Sequence, residues 1–336
     1  MPGPVATPIV VLVAGALALL LANRAAGPRN RSPLALLIIG AAFLSLVVVA
    51  RDLPVSGTIS RWRPFLGSDL AYRVDGLALL FVALMALTGV ATIAPGLGHP
   101  EYPDGASYPA LVALLAAGFS FVFSANLITL CLSWIVFDLT FLWVLAASNH
   151  AGSWTRMISR VLNLSCLACL SLLAAALLLG DGSLSPRSSP ITAPVFGLVL
   201  LATLMRVGLY PLHLWMPIGV EAGLAARSLL HLIPASAGLY LLSRLVAWAG
   251  GGLPYGQALA IAGGLAFLIG ALLAWPETDL GKTLSFVMIS QVGHVILSLA
   301  IARPPTMVVV LSSSLNLVLC LGLLFLSQDR SELGSL

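Results

Sequence analysis

Oily runs of about twenty residues alternate along the chain with short stretches rich in proline, glycine and polar residues. A helix rising about 1.5 Å per residue needs such a run to cross roughly 30 Å of hydrocarbon. The pattern predicts about eleven spanning segments, near 5–23, 33–50, 75–94, 108–125, 127–148, 161–180, 192–213, 225–247, 256–275, 281–302 and 306–327. The stretches between them, such as GPRNRSP at 27–33, GHPEYPDGAS at 98–107 and GDGSLSPRSSP at 180–190, have the chemistry of loops. The longest, 51–74, reads as a loop carrying Arg51, Arg61, Arg63 and Arg73. Strands of a membrane barrel would alternate oily and polar residues over about ten positions, and no such alternation is present. The predicted fold is all-α, a polytopic transmembrane helical bundle forming one membrane domain over residues 1–336.

Composition narrows the class of function. Hydrophobic residues make up 60% of the 336 and charged residues 8%, with a mean hydropathy of +1.06, which excludes a water-soluble domain. The first eight residues, MPGPVATP, lack the basic start of a secretory signal, so the first run reads as a retained span. No nucleotide-binding loop or cofactor fingerprint is present, and no cofactor is expected; redox or ATP-driven chemistry would reside in a partner. Cys131, Cys166, Cys169 and Cys320 all lie in oily segments, and the Cys166–Cys169 CxxC reads as small residues on one helix face, with no metal expected. Fifteen of the 16 basic residues are arginine, Lys282 being the exception, and none forms a run dense enough for nucleic acid. The net charge of +4 suits loops facing anionic lipid. Alternation places eight basic residues on one side and seven on the other, so orientation rests on the first short loop, which favours an outside N-terminus.

Four ionisable residues fall at membrane depth: Asp138, Arg206, His231 and His294. Each costs about 2.5–3.5 kcal/mol on insertion scales unless a partner, water or function offsets it. Opposite charges on neighbouring helices favour an Asp138–Arg206 ion pair, either fixing how helices pack or lining an ion path. A buried histidine more simply hydrogen-bonds a backbone carbonyl. Arg206 also precedes Pro211, His213 and Pro217. A proline inside a spanning helix opens the carbonyl about one turn earlier, predicting a broken helix near Pro211. Broken helices of this kind hold the ion sites of many transporters.

These residues carry a resemblance. RVGLYPLHLWMP at 206–217, SLLH at 228–231, AGLYLLSR at 237–244, TDLGKTL at 278–284, ISQVG at 289–293 and YRVDGL at 72–77 resemble, in order and in spacing apart from a one-residue deletion after His231, the antiporter-like membrane subunits of proton-pumping NADH:quinone oxidoreductase (complex I), membrane hydrogenases and multisubunit cation/proton antiporters. The likeness covers about 70–300. It implies a first antiporter-like helical unit within 75–248, a partial second unit over 256–327, other membrane subunits as partners, and the bacterial inner membrane as location. In that family a lysine on the broken helix pairs with a glutamate two helices earlier, and a histidine continues the proton route. Arg206 stands at the lysine's position and His231 at the histidine's. The glutamate usually follows a tryptophan, but Ile135 follows Trp134, and Asp138, about 60° round the helix, could supply the lost charge. An arginine holds its proton where a buried lysine can release it.

The resemblance therefore leaves three readings: a divergent spacer subunit with weak or lost proton conduction, an active proton- or cation-conducting subunit, and a stand-alone anion or bicarbonate carrier using Arg206. Asp138, Arg206, His213, His231 and His294 are the ion-path candidates, with Pro211 and Pro217 marking the broken helix. Ser312, Ser313, Ser314 and Asn316 are expected to pack the eleventh segment against another helix. Glu277 and Asp279 read as charges at a helix N-terminus and Lys282 as an interfacial side chain, whereas Glu221 reads equally as a loop charge or the mouth of a route.

Overall fold

The computed structural model describes residues 4–26, 31–60, 69–97, 107–148, 154–179, 191–213, 215, 216, 224–249, 253–301, 308, 312 and 315. Ten α-helices form among them: α1 (Thr7–Ala26), α2 (Ser32–Val49), α3 (Gly76–Ile93), α4 (Tyr108–Phe123), α5 (Leu127–Ser148), α6 (Trp154–Leu179), α7 (Ala193–Val207), α8 (Leu224–Ala249), α9 (Gly256–Ala274) and α10 (Leu280–Ile301). Eight are long and apolar enough to span a membrane, while α4 and α7 are apolar but shorter, at 16 and 15 residues. The first ten predicted segments each coincide with one helix. Of the eleventh, only Val308, Ser312 and Leu315 are described, and they are helical.

The 51–74 stretch departs from its reading as a loop. Strands β1 (Val55–Ser60) and β2 (Leu70–Val74) form an antiparallel hairpin with Val55 opposite Val74 and Gly57 opposite Tyr72, and a register shift between Thr58 and Ser60. The β-branched Val55, Thr58, Ile59 and Val74 favour extended backbone, and the strands are too short to be seen among oily runs of twenty.

The chain divides into two compact units. The first comprises residues 1–152, 180–183 and 222–233, the second 153–179, 184–221 and 234–336. In the first unit α4 is central: every residue from Tyr108 to Phe123 except Ala113 and Ser120 is buried, and the helix packs against α1, α3 and α5. α2 buries Ala35, Ile39, Ala42, Leu46 and Val49, spaced four and three apart, and exposes Leu37, Leu44 and Val48. Both faces are equally oily because the outer solvent is acyl chain rather than water.

In the second unit α6 packs on α7, and α9 packs on α10 more closely. A Cβ added at Gly270 would stand 2.5 Å from the backbone nitrogen of Ser290, so the α9 and α10 backbones meet without intervening side chains. Ser290 Oγ donates across the contact to the Phe267 carbonyl at 2.9 Å. The N-terminal charges of α10 behave as their position predicts: Asp279 Oδ1 accepts from the Lys282 amide at 3.2 Å, and Glu277 accepts from the amides of Thr278 and Asp279.

Candidate functional site

The interruption ahead of Pro211 is built by a glycine before it is enforced by the proline. α7 ends at Val207, and Gly208 adopts the left-handed conformation at φ +72°. The amides of Gly208 and Leu209 both bond the Leu204 carbonyl at 3.1 Å, closing the helix end. The next exposed carbonyl, that of Met205, accepts from the indole N–H of Trp215 at 3.0 Å. Pro211 lacks the amide that would have bonded Val207, the last helical residue, so the chain cannot resume the helix there. The broken helix expected near Pro211 is present, with its stop set three residues ahead of the proline.

Arg206 lies in the last turn of α7, with only 7% of its surface exposed. Gly238 on α8 abuts this turn; a Cβ there would stand 2.8 Å from the Val207 nitrogen and 3.2 Å from the Arg206 carbonyl carbon. Beyond the break, Tyr210 and His213 stack with centroids 5.2 Å apart, and His213 is half-buried. Pro217 and Glu221 lie outside the described residues.

His231 is fully buried in α8, and its Nδ1–H donates to the Arg227 carbonyl at 2.8 Å. The backbone-carbonyl partner expected of a buried histidine is present, and a carbonyl acceptor there requires the proton on Nδ1. Pro234, three residues on, lies inside the same helix and cannot bond the Leu230 carbonyl. Asp138 is 5% exposed, on the buried face of α5 with Trp134, Phe137 and Phe141, whereas Ile135 is 45% exposed and faces outward.

Asp138 and His231 belong to the first unit; Arg206, Pro211, His213 and His294 belong to the second. Within the second unit, Arg206 and His213 bracket the non-helical turn. His294 is set apart on the exposed face of α10, its ring 5.9 Å from that of Phe267. Ser312 is exposed, and Ser313, Ser314 and Asn316 lie outside the described residues. Cys166 is exposed and Cys169 buried, so the two straddle the edge of a face rather than sharing it.

The pattern of the family described as NADH:quinone oxidoreductase/Mrp antiporter, TM, matches residues 119–332. The chain belongs to this family. It is 28% identical over 258 residues to the A/B subunit of a probable K(+)/H(+) antiporter of Rhizobium meliloti (strain 1021), covering 72% of this chain and 26% of that protein. To the A subunit of a Na(+)/H(+) antiporter of Alkalihalophilus pseudofirmus (strain ATCC BAA-2126 / JCM 17055 / OF4) it is 27% identical over 281 residues, covering 78% and 34%. In fold it is similar to a chain of the Mrp complex from Dietzia sp. DQ12-45-1b, with a TM-score of 0.84, 22% identity, and coverage of 96% of this chain and 37% of that one. The chain spans about a quarter to a third of the length of these relatives.

In this family member the YRVDG stretch has a structural task that its sequence did not reveal. Asp75 caps α3 by accepting from the Ala78 amide at 3.1 Å, and Tyr72 opens a run of hydroxyls into the first unit. The Tyr72 hydroxyl lies 3.0 Å from Ser120 Oγ, which lies 2.9 Å from Ser133 Oγ; Ser124 Oγ also donates to Ser133 at 3.2 Å. Either member of the first two contacts can donate, so the run can reverse its polarity. Asn126 caps α5 through the Thr129 amide at 2.7 Å while donating to the Asp69 carbonyl at 2.6 Å, and Thr129 Oγ1 accepts from the Ala71 amide. The four-residue spacings of Ser120 with Ser124 and Thr129 with Ser133 were visible in the sequence as same-face polar pairs.

Proposed function

We propose that this chain is a membrane subunit of an antiporter-like or complex I-like multisubunit assembly in the bacterial inner membrane, with a weakened or lost proton route and a packing role among neighbouring subunits. Arg206 carries the reading. It is buried in the last turn of an interrupted helix, where a guanidinium, which keeps its proton in proteins, holds a charge and does not pass one on. The outward turn of Ile135, the residue after Trp134, supports it, because no carboxylate stands at that position. The class of assembly is supported by relatives named as subunits of K(+)/H(+) and Na(+)/H(+) antiporters and by the Mrp complex.

A conducting subunit is the second reading, favoured by the buried carboxylate of Asp138 and by the tautomer of His231. Proton flux into sealed vesicles carrying the purified assembly separates the two. With Asp138→Asn, flux within about twofold of the unaltered assembly is expected for the spacer; a loss of about tenfold or more would overturn it and assign conduction to that carboxylate.

A further inference from the structure

Trp215 ties the chain beyond the break back to α7 by a bond that spans ten positions. The last carbonyls of a helix have no amide to meet within it. At the end of α7 the Leu204 carbonyl takes the amides of Gly208 and Leu209, and the Met205 carbonyl takes the Trp215 indole N–H at 3.0 Å. The bond is buried, so the carbonyl has no water to replace an absent donor.

Two short turns bring the indole there. The Leu212 amide bonds the Leu209 carbonyl at 2.6 Å and the Met216 amide bonds the His213 carbonyl at 2.9 Å, each across three residues. They return Trp215 to Met205 and Met216 to Gly208, where the buried Met216 side chain fills the space a Cβ would need. Five hydrogen bonds therefore close the break with donors that all lie within 208–216: the amides of Gly208, Leu209, Leu212 and Met216, and the Trp215 indole. A hinge needs residues free to change φ and ψ, and this stretch spends its donors on holding them.

We propose that Trp215 is a positioning residue for Arg206. Its indole staples the returning chain to the carbonyl of the residue just before Arg206, so the break moves as one rigid connector and keeps the guanidinium in one buried seat. Without the N–H, the Met205 carbonyl loses this donor and the turn opens more readily. The inference deepens the reading of Arg206 as a fixed charge and rests on it.

The test replaces Trp215, in the full chain within its native assembly, by benzothienylalanine, which keeps the ring shape and puts sulfur in place of the N–H. Mass spectrometry reads two rates: amide exchange over 205–212, and phenylglyoxal modification of the Arg206 guanidinium with the half-buried Arg244 of the same unit as reference. Both rates at the break are expected to rise about twofold to tenfold, the factor that one net hydrogen bond confers, while Arg244 reacts as before. 5-Fluorotryptophan at 215, which retains the N–H, is expected to keep the slow rates of the unaltered chain. Unchanged exchange over 205–212 would overturn the staple. Faster exchange with unchanged Arg206 modification, an equal rise at Arg244, or fast rates with 5-fluorotryptophan would overturn the positioning of Arg206 by the indole N–H. Proton flux with Arg206→Lys is a separate readout, so a failure of the fixed-charge reading shows there and a failure of the staple in these rates.

Discussion

Gly208 decides where α7 stops, and its role can be measured apart from ion movement. At φ +72°, a side chain costs about 1–2 kcal/mol in backbone strain, and a Cβ would also stand 2.5 Å from Met216 Cε. Gly208→Ala is therefore expected to destabilise the protein by at least about 1 kcal/mol, seen as a lowered Tm of the purified assembly. Gly40 offers the opposite sign: it lies inside α2 with open space where its Cβ would be, so Gly40→Ala should be neutral or stabilising by up to about 1 kcal/mol. Equal losses from the two substitutions would refute the placement of the helix stop. Arg206 sits two residues before this turn.

At the scale of elements, the hairpin is held to the α4–α5 connection by the Ala125 amide on the Ala71 carbonyl, by Asn126 on Asp69 and by the Tyr72 hydroxyl. Asn126→Ala removes a helix cap and the hairpin's contact together, a cost of about 0.5–2 kcal/mol from the cap. Faster amide exchange over residues 69–74 is expected, and unchanged exchange there would show that Asn126 does not anchor the strand. The helices themselves were legible because length and hydropathy suffice to mark a span. Their inward faces were not: along α2, Ala35 and Ile39 turn in and Leu37 and Leu44 turn out, with no difference in polarity to betray it. The hairpin was hidden for another reason, since its contacts lie with residues some 57 positions away and local pattern does not record them. In the interrupted segment Pro211 drew the eye, but the backbone had already been released at Gly208, a helix-ending residue in plain view. His294 illustrates the same limit in reverse, because a histidine in an oily run reads as buried until its helix face is known.

For the whole molecule, the residues that depth alone singled out separate into two units, with Asp138 and His231 in one and Arg206 and His294 in the other. Ionisable side chains at such depth persist when they are structural as well as when they conduct, and chemistry distinguishes the two: a guanidinium holds its proton and an ammonium can release it. Proton flux across vesicles containing the purified assembly, measured with Arg206→Lys beside the unaltered chain, tests this most directly. Superimposable flux, within about twofold, is predicted if Arg206 is a fixed structural charge in a non-conducting subunit; a change of about tenfold in either direction would contradict it and place Arg206 in a working gate.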